Sequence, residues 1–271
     1  MLRFILCGAQ LISFCAAAGI IGEDSRRAPV DEETDLVRAL GHVVCMRAIN
    51  GVRRRSAGTA TIVGSRNTIL TAAHVFTDRA GRRGPEVRFV PEDDCTFRQY
   101  DTFGNVSVEV GFQQTEMGEY RENPGMPNQD WAVLRTAQLL PESTVALPFA
   151  NYAGDLDGLS GMAIRILAYH ADIRAARRVP LSSEGELLTV EYGGYMRLAH
   201  TADMGRMSSG AAIVHRTHDG DFVVVGINRS SAKLGEFNLA VPLSIELLAT
   251  LRSYAHGYVP TLRQRLALLT P

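Results

Sequence analysis

The sequence predicts an all-β chain with one late helix. Short apolar runs recur along most of its length, at His42–Ile49, Gly58–Val63, Glu86–Val90, Val106–Val110, Trp131–Arg135, Met162–Tyr169, Glu186–Tyr192, Ala211–Val214, Asp221–Ile227 and Phe237–Pro242. Several alternate with the two-residue period of a half-buried strand, as in Val106-Ser-Val-Glu-Val and Met162-Ala-Ile-Arg-Ile-Leu, and Gly, Asn and Asp punctuate them. Strong helical spacing appears at Ser244-Ile-Glu-Leu-Leu-Ala-Thr-Leu-Arg-Ser-Tyr, where Ser244 is suited to cap the first turn. Short strands at this density argue for barrels or a sandwich.

Composition bounds the function. The chain has 271 residues, 46% of them hydrophobic, enough to bury a substantial core as one large or two small domains. A net charge of −1 gives no electrostatic footprint for nucleic acid. The basic clusters at Arg53–Arg55 and Arg174–Arg178 are short and read as solvated faces.

From the N-terminus, Arg3 precedes an apolar run from Phe4 to Ile21, and Ala16-Ala17-Ala18 supplies the small residues a signal peptidase needs. Residues 1–18 therefore read as a signal peptide, with an uncleaved anchor as the rival. This implies a secreted or periplasmic chain with no stable membrane insertion after cleavage. Cleavage would remove Cys7 and Cys15, leaving Cys45 and Cys95 either as one disulfide or as two buried thiols. Residues 19–35 are polar and read as a leader or propeptide, with Arg26-Arg27 as an exposed dibasic site. Asp35–Leu40 reads as a helical turn.

Three segments carry chemistry. In order they are Thr68-Ile-Leu-Thr-Ala-Ala-His74, Gln129-Asp130-Trp-Ala-Val-Leu-Arg135 and Asp203-Met-Gly-Arg-Met-Ser-Ser209-Gly-Ala-Ala-Ile213. A serine hydroxyl is a poor nucleophile at neutral pH and needs a base within hydrogen-bond reach. His74 has the chemistry to take that proton, and Asp130 to fix the imidazole tautomer and stabilise the imidazolium. Ser160, in Gly158-Leu-Ser160-Gly161, reads as part of a turn and not as a nucleophile.

Together the three segments resemble the marks of trypsin-like serine peptidases, and Tyr169-His-Ala-Asp172 adds a likeness to the bacterial branch that includes glutamyl endopeptidases. The resemblance spans roughly residues 43 to 255 and implies two six-stranded antiparallel β-barrels with a C-terminal helix. The N-terminal barrel, residues 36–145, would carry His74 and Asp130. The C-terminal barrel and helix, 146–258, would carry Ser209, and 259–271 would form a tail. It implies a secreted endopeptidase acting on protein or peptide substrates through an acyl-enzyme, without cofactor or metal. A catalytically impaired homologue acting as a binding module and an esterase are the alternatives.

Departures from the family pattern matter. The oxyanion hole would be formed by the backbone N–H groups of Met207 and Ser209, but the family has glycine where Met207 stands, so a strained or malformed hole is expected. Ser208 replaces the aspartate that pairs with a new N-terminus in digestive members, and Val75 replaces a half-cystine. Asp203 lies where trypsin-like enzymes place the carboxylate receiving Arg or Lys; it could equally anchor its own turn. Asn228, Arg229 and Ser230 would form the other substrate-binding wall, and Arg229 or His200 could instead suit an acidic P1 side chain.

Overall fold

The computed structural model describes residues 19–79, 86–118, 127–152, 156–231 and 236–255. The expected signal peptide and the tail lie outside these residues. Two closed six-stranded antiparallel barrels make up the body. The first consists of β1 (Leu40–Ile49), β2 (Val52–Ile62), β3 (Thr68–Thr71), β6 (Cys95–Tyr100), β7 (Val106–Met117) and β8 (Ala132–Thr136). A separate hairpin of β4 (Thr77–Arg79) and β5 (Glu86–Arg88) lies between β3 and β6 in the chain. The second barrel holds β9 (Ala163–Ala168), β10 (Leu181–Tyr192), β11 (Tyr195–His200), β12 (Ala212–Arg216), β13 (Phe222–Ser231) and β14 (Asn238–Pro242).

Alternation explains why these segments close on themselves. Ile62, Ile69, Phe97 and Leu134 fill the first barrel, while Ile166, Leu187, Leu198 and Ile213 fill the second, all fully buried. Cys45 and Cys95 face each other in the β1–β6 register and form a disulfide. The C-terminal helix, Ile245–Ala255, starts where expected: the Leu247 N–H donates to Ser244 Oγ at 3.2 Å. It buries Leu247, Leu248, Leu251 and Tyr254 in the same core cluster as the first barrel. Among the described residues no helix is long and apolar enough to cross a membrane.

Residues 19–35 are integral to the fold. Arg27 makes an antiparallel bridge to Ser182 of β10. Glu33 is fully buried and accepts from Arg27, Ser182 and the Val30 N–H. Arg26 is not an exposed processing site, because its side chain is only 3% exposed, clasped by Asp24 and Asp172.

Candidate active site

β3 and β8 pair with Thr71 opposite Ala132, so the segments leaving these strands at one end carry His74 and Asp130 side by side. His74 sits in the 3₁₀ turn Ala73–Phe76, next to the buried Ala72 and Ala73. The His74 Nδ1 lies 2.8 Å from Asp130 Oδ2, and the His74 backbone N–H donates to Asp130 Oδ1 at 2.9 Å. The bidentate arrangement fixes the ring and makes Nδ1–H the donor tautomer. Burial opposes ionisation of Asp130, but His74 and the Arg229 guanidinium hold its carboxyl below the usual range.

Ser209 comes from the second barrel, on the loop preceding β12. Gly210 follows in the left-handed region at φ 89°, and a Cβ there would run into Thr71 Oγ1 and the Thr59 carbonyl. That close approach lays the Ser209 loop against β2 and β3. The Ser209 carbonyl accepts from the Thr59 N–H at 2.9 Å, and its hydroxyl donates to the Arg229 carbonyl at 2.9 Å. A hydroxyl has one proton, so this bond and donation to His74 are mutually exclusive.

Met207 adopts φ 77°, a left-handed conformation that costs a side-chain-bearing residue about 1–2 kcal/mol. Thr59 holds it there, since the Met207 carbonyl accepts from the Thr59 N–H at 3.0 Å and from Thr59 Oγ1 at 2.8 Å. With that carbonyl fixed inward, the Met207 and Ser209 N–H groups find no acceptor among the described residues. Both residues line a cavity of about 280 Å³. The backbone strain expected at Met207 is present. Thr59 carried no sequence signal beyond its place after Gly58.

The expected substrate-binding residues divide. Asn228 and Ser230 line this cavity, together with Gly19, Arg206 and Ser231. The Asn228 Nδ2 donates to the Ser208 carbonyl at 2.9 Å, so its Oδ1 accepts from His200 Nε2 at 3.0 Å. His200 is fully buried behind Asn228 and does not line the cavity. Asp203 does not line it either. Its carboxylate accepts from the Ile21 N–H, the Ser25 N–H and the Ser25 hydroxyl, each at 2.7 Å, so it ties down the N-terminal segment and not its own turn. Arg229 turns away from the cavity, placing Nε 2.9 Å from Asp130 Oδ2. Ser160 follows a 3₁₀ turn, Asp157–Leu159, as its sequence context suggested.

No protein-family profile matches the chain, and no curated protein sequence does. Solved structures do match. A Glu endopeptidase in complex with MPD superposes with a TM-score of 0.63 at 17% identity, covering 88% of this chain and 99% of that one. The thermostable serine protease AL20 from an extremophilic microorganism gives 0.59 at 17% identity, covering 82% and 99%. A scabies mite inactivated protease paralogue gives 0.59 at 13% identity, covering 89% and 99%. Both the paired barrels and these superpositions assign the chain the trypsin-like serine-peptidase fold.

Proposed function

We propose that the chain is a secreted serine endopeptidase using Ser209, His74 and Asp130. The observation that carries this reading is the pair of orphan N–H groups on Met207 and Ser209, two residues that line one cavity, in a chain that also orients His74 by a buried carboxylate. Catalysis starts when the Ser209 hydroxyl rotates from the Arg229 carbonyl to His74 Nε2. His74 takes the proton as the oxygen attacks the scissile carbonyl, and the imidazolium is stabilised by Asp130. The developing oxyanion receives the two orphan donors. His74 then protonates the leaving amine, and water resolves the acyl-enzyme by the reverse path.

The cavity suits a neutral or acidic P1 side chain. Its walls offer the hydroxyls of Ser230 and Ser231, Arg206 is its one charged lining residue among the described residues, and Asp203 is engaged elsewhere. Rates on matched amide and ester substrates test the reaction. Hydrolysis of both, abolished by Ser209→Ala, supports an endopeptidase; ester hydrolysis alone supports the esterase reading.

A second reading, a catalytically impaired binding module, is favoured by the Ser209 proton resting on the Arg229 carbonyl. Activity-independent binding of peptides, with no covalent capture by Ser209, would select it. Secretion is tested by N-terminal sequencing of the exported protein, expected to start after Ala18.

A further inference from the structure

Many arginines among the described residues are in ion pairs. Arg27, Arg165 and Arg216 share Glu32, Glu33 and Glu184. Seven exposed arginines among the described residues are not: Arg252, which bonds to Asn151 Oδ1, and six others, Arg53 and Arg55 on β2, Arg174, Arg177 and Arg178 after β9, and Arg206 beside Met207. Among the described residues none of the six makes an ion pair. The carboxylates of that neighbourhood are engaged, Glu109 with Arg98, Asp172 with Arg26, Asp78 with Arg54, and Asp101 with its own turn.

Contacts link Arg206 to Arg177, and Arg178 to the strand that carries Arg53 and Arg55. The Arg206 carbonyl accepts from the Ala171 N–H at 2.8 Å, and the Ala171 carbonyl accepts from Arg177 Nε at 3.2 Å. Arg178 lies over the Tyr100 ring, 6.0 Å from its centroid, and Tyr100 packs edge-on against Tyr169. The Tyr169 N–H donates to Thr59 Oγ1 at 3.1 Å, on the same strand as Arg53 and Arg55. Burial, then Arg55, Arg98 and Arg178, lower the pKa of His42, which lies opposite Thr59 on β1.

This face also has a side relative to the reaction. On the peptidase reading the acyl half of a substrate would lie along the cavity and β13, whose Asn228, Ser230 and Ser231 line it. The leaving half would then fall on the His74 side, toward β2, where a Cβ on Gly58 would meet Val75 and the Ser209 carbonyl. Clustered like charges without counterions repel, and a cleft lined by one sign concentrates ligands of the other. We propose that this face binds the residues following the scissile bond and selects substrates with acidic side chains there. The proposal rests on the peptidase reading above and adds the substrate class.

The test uses peptides identical up to the scissile bond, followed by three Asp/Glu, three Ala or three Lys. Wild type is expected to favour the acidic over the Ala peptide about tenfold in kcat/KM at low salt. The preference should fall to about twofold in an Arg55→Ser, Arg174→Ser, Arg178→Ser variant and in about 0.5 M salt. Capture of Ser209 by a fluorophosphonate in the same preparations reports an intact centre. Cleavage without acidic preference overturns the subsite and leaves the peptidase reading standing. Anisotropy of the labelled acidic peptide on Ser209→Ala, compared with its Ala counterpart, reads the surface without turnover. Tight, arginine-dependent binding there with no cleavage by wild type refutes the peptidase reading and retains the acidic ligand. A single-stranded oligonucleotide of equal charge that outcompetes the acidic peptide overturns the proposal in favour of a nucleic-acid surface.

Discussion

Arg229 Nε and His74 Nδ1 share one oxygen, Asp130 Oδ2, at 2.9 and 2.8 Å. A permanent guanidinium therefore competes, in the mechanism proposed, with the His74 imidazolium for the same buried carboxylate, while the Arg229 carbonyl holds the Ser209 proton. Replacing the charge by a neutral donor, Arg229→Gln, leaves Asp130 to stabilise the imidazolium alone. The acidic limb of kcat/KM against pH is expected to move up by about half to one unit. A pH–rate profile with an unmoved limb would show that Arg229 only packs.

The proposed oxyanion donors depend on Thr59. Thr59→Val keeps the shape but removes the Oγ1 bond to the Met207 carbonyl. Turnover is expected to fall about 10- to 100-fold, because that carbonyl is freed to turn and carry one N–H out of position. Met207→Gly relieves the left-handed strain and is expected to leave turnover undiminished, with stability raised by about 0–1 kcal/mol after the added freedom of the unfolded chain. Steady-state kinetics and urea unfolding of the two variants check both.

Asp203 is a structural anchor. Asp203→Ala abandons three donors from residues 21 and 25 and is expected to cost about 3 kcal/mol, without altering the order of P1 preferences. A wild-type Arg/Lys preference lost in the variant would return the carboxylate to the specificity pocket.

Acid should unfold the protein early. Burial first, then nearby arginines, lower His42 to about 3 and His170 to about 4, and burial lowers His200 to about 4. The folded state binds these protons less readily than the unfolded chain, so their contribution is complete at high pH and is lost as pH falls. Unfolding free energy is expected to be level above about pH 7 and to decline from about pH 6.5 toward 4, by up to about 1.4 kcal/mol per pH unit for each histidine. The lowered carboxyls of Glu33 and Asp130 extend the decline below that range. Urea titrations across pH check the slope, which His170→Gln should reduce.

The strands that sequence made legible are those with apolar inward positions. β6 and β11 escaped because their inward faces are mixed. Gln99 is buried to cap the Arg38 and Leu40 carbonyls, and Arg197 and His200 are buried on β11. β2 extends back to Val52 through Arg53–Arg55, whose charges hide a strand paired residue for residue with β1. At the site, His74 and Asp130 were legible because short motifs lead into strands that pair directly. The direction of Arg229 was not, since a bulge between Asn228 and Ser230 sets it. Nor was the engagement of Asp203, whose partners are 178 and 182 residues away.

Covalent capture of the intact protein by a fluorophosphonate, with the modified peptide mapped by mass spectrometry, tests the catalytic assignment most directly. One label per chain on Ser209 is expected, abolished by Ser209→Ala and strongly slowed by His74→Ala. An unmodified Ser209 in folded protein, or a label on Ser160, would contradict it.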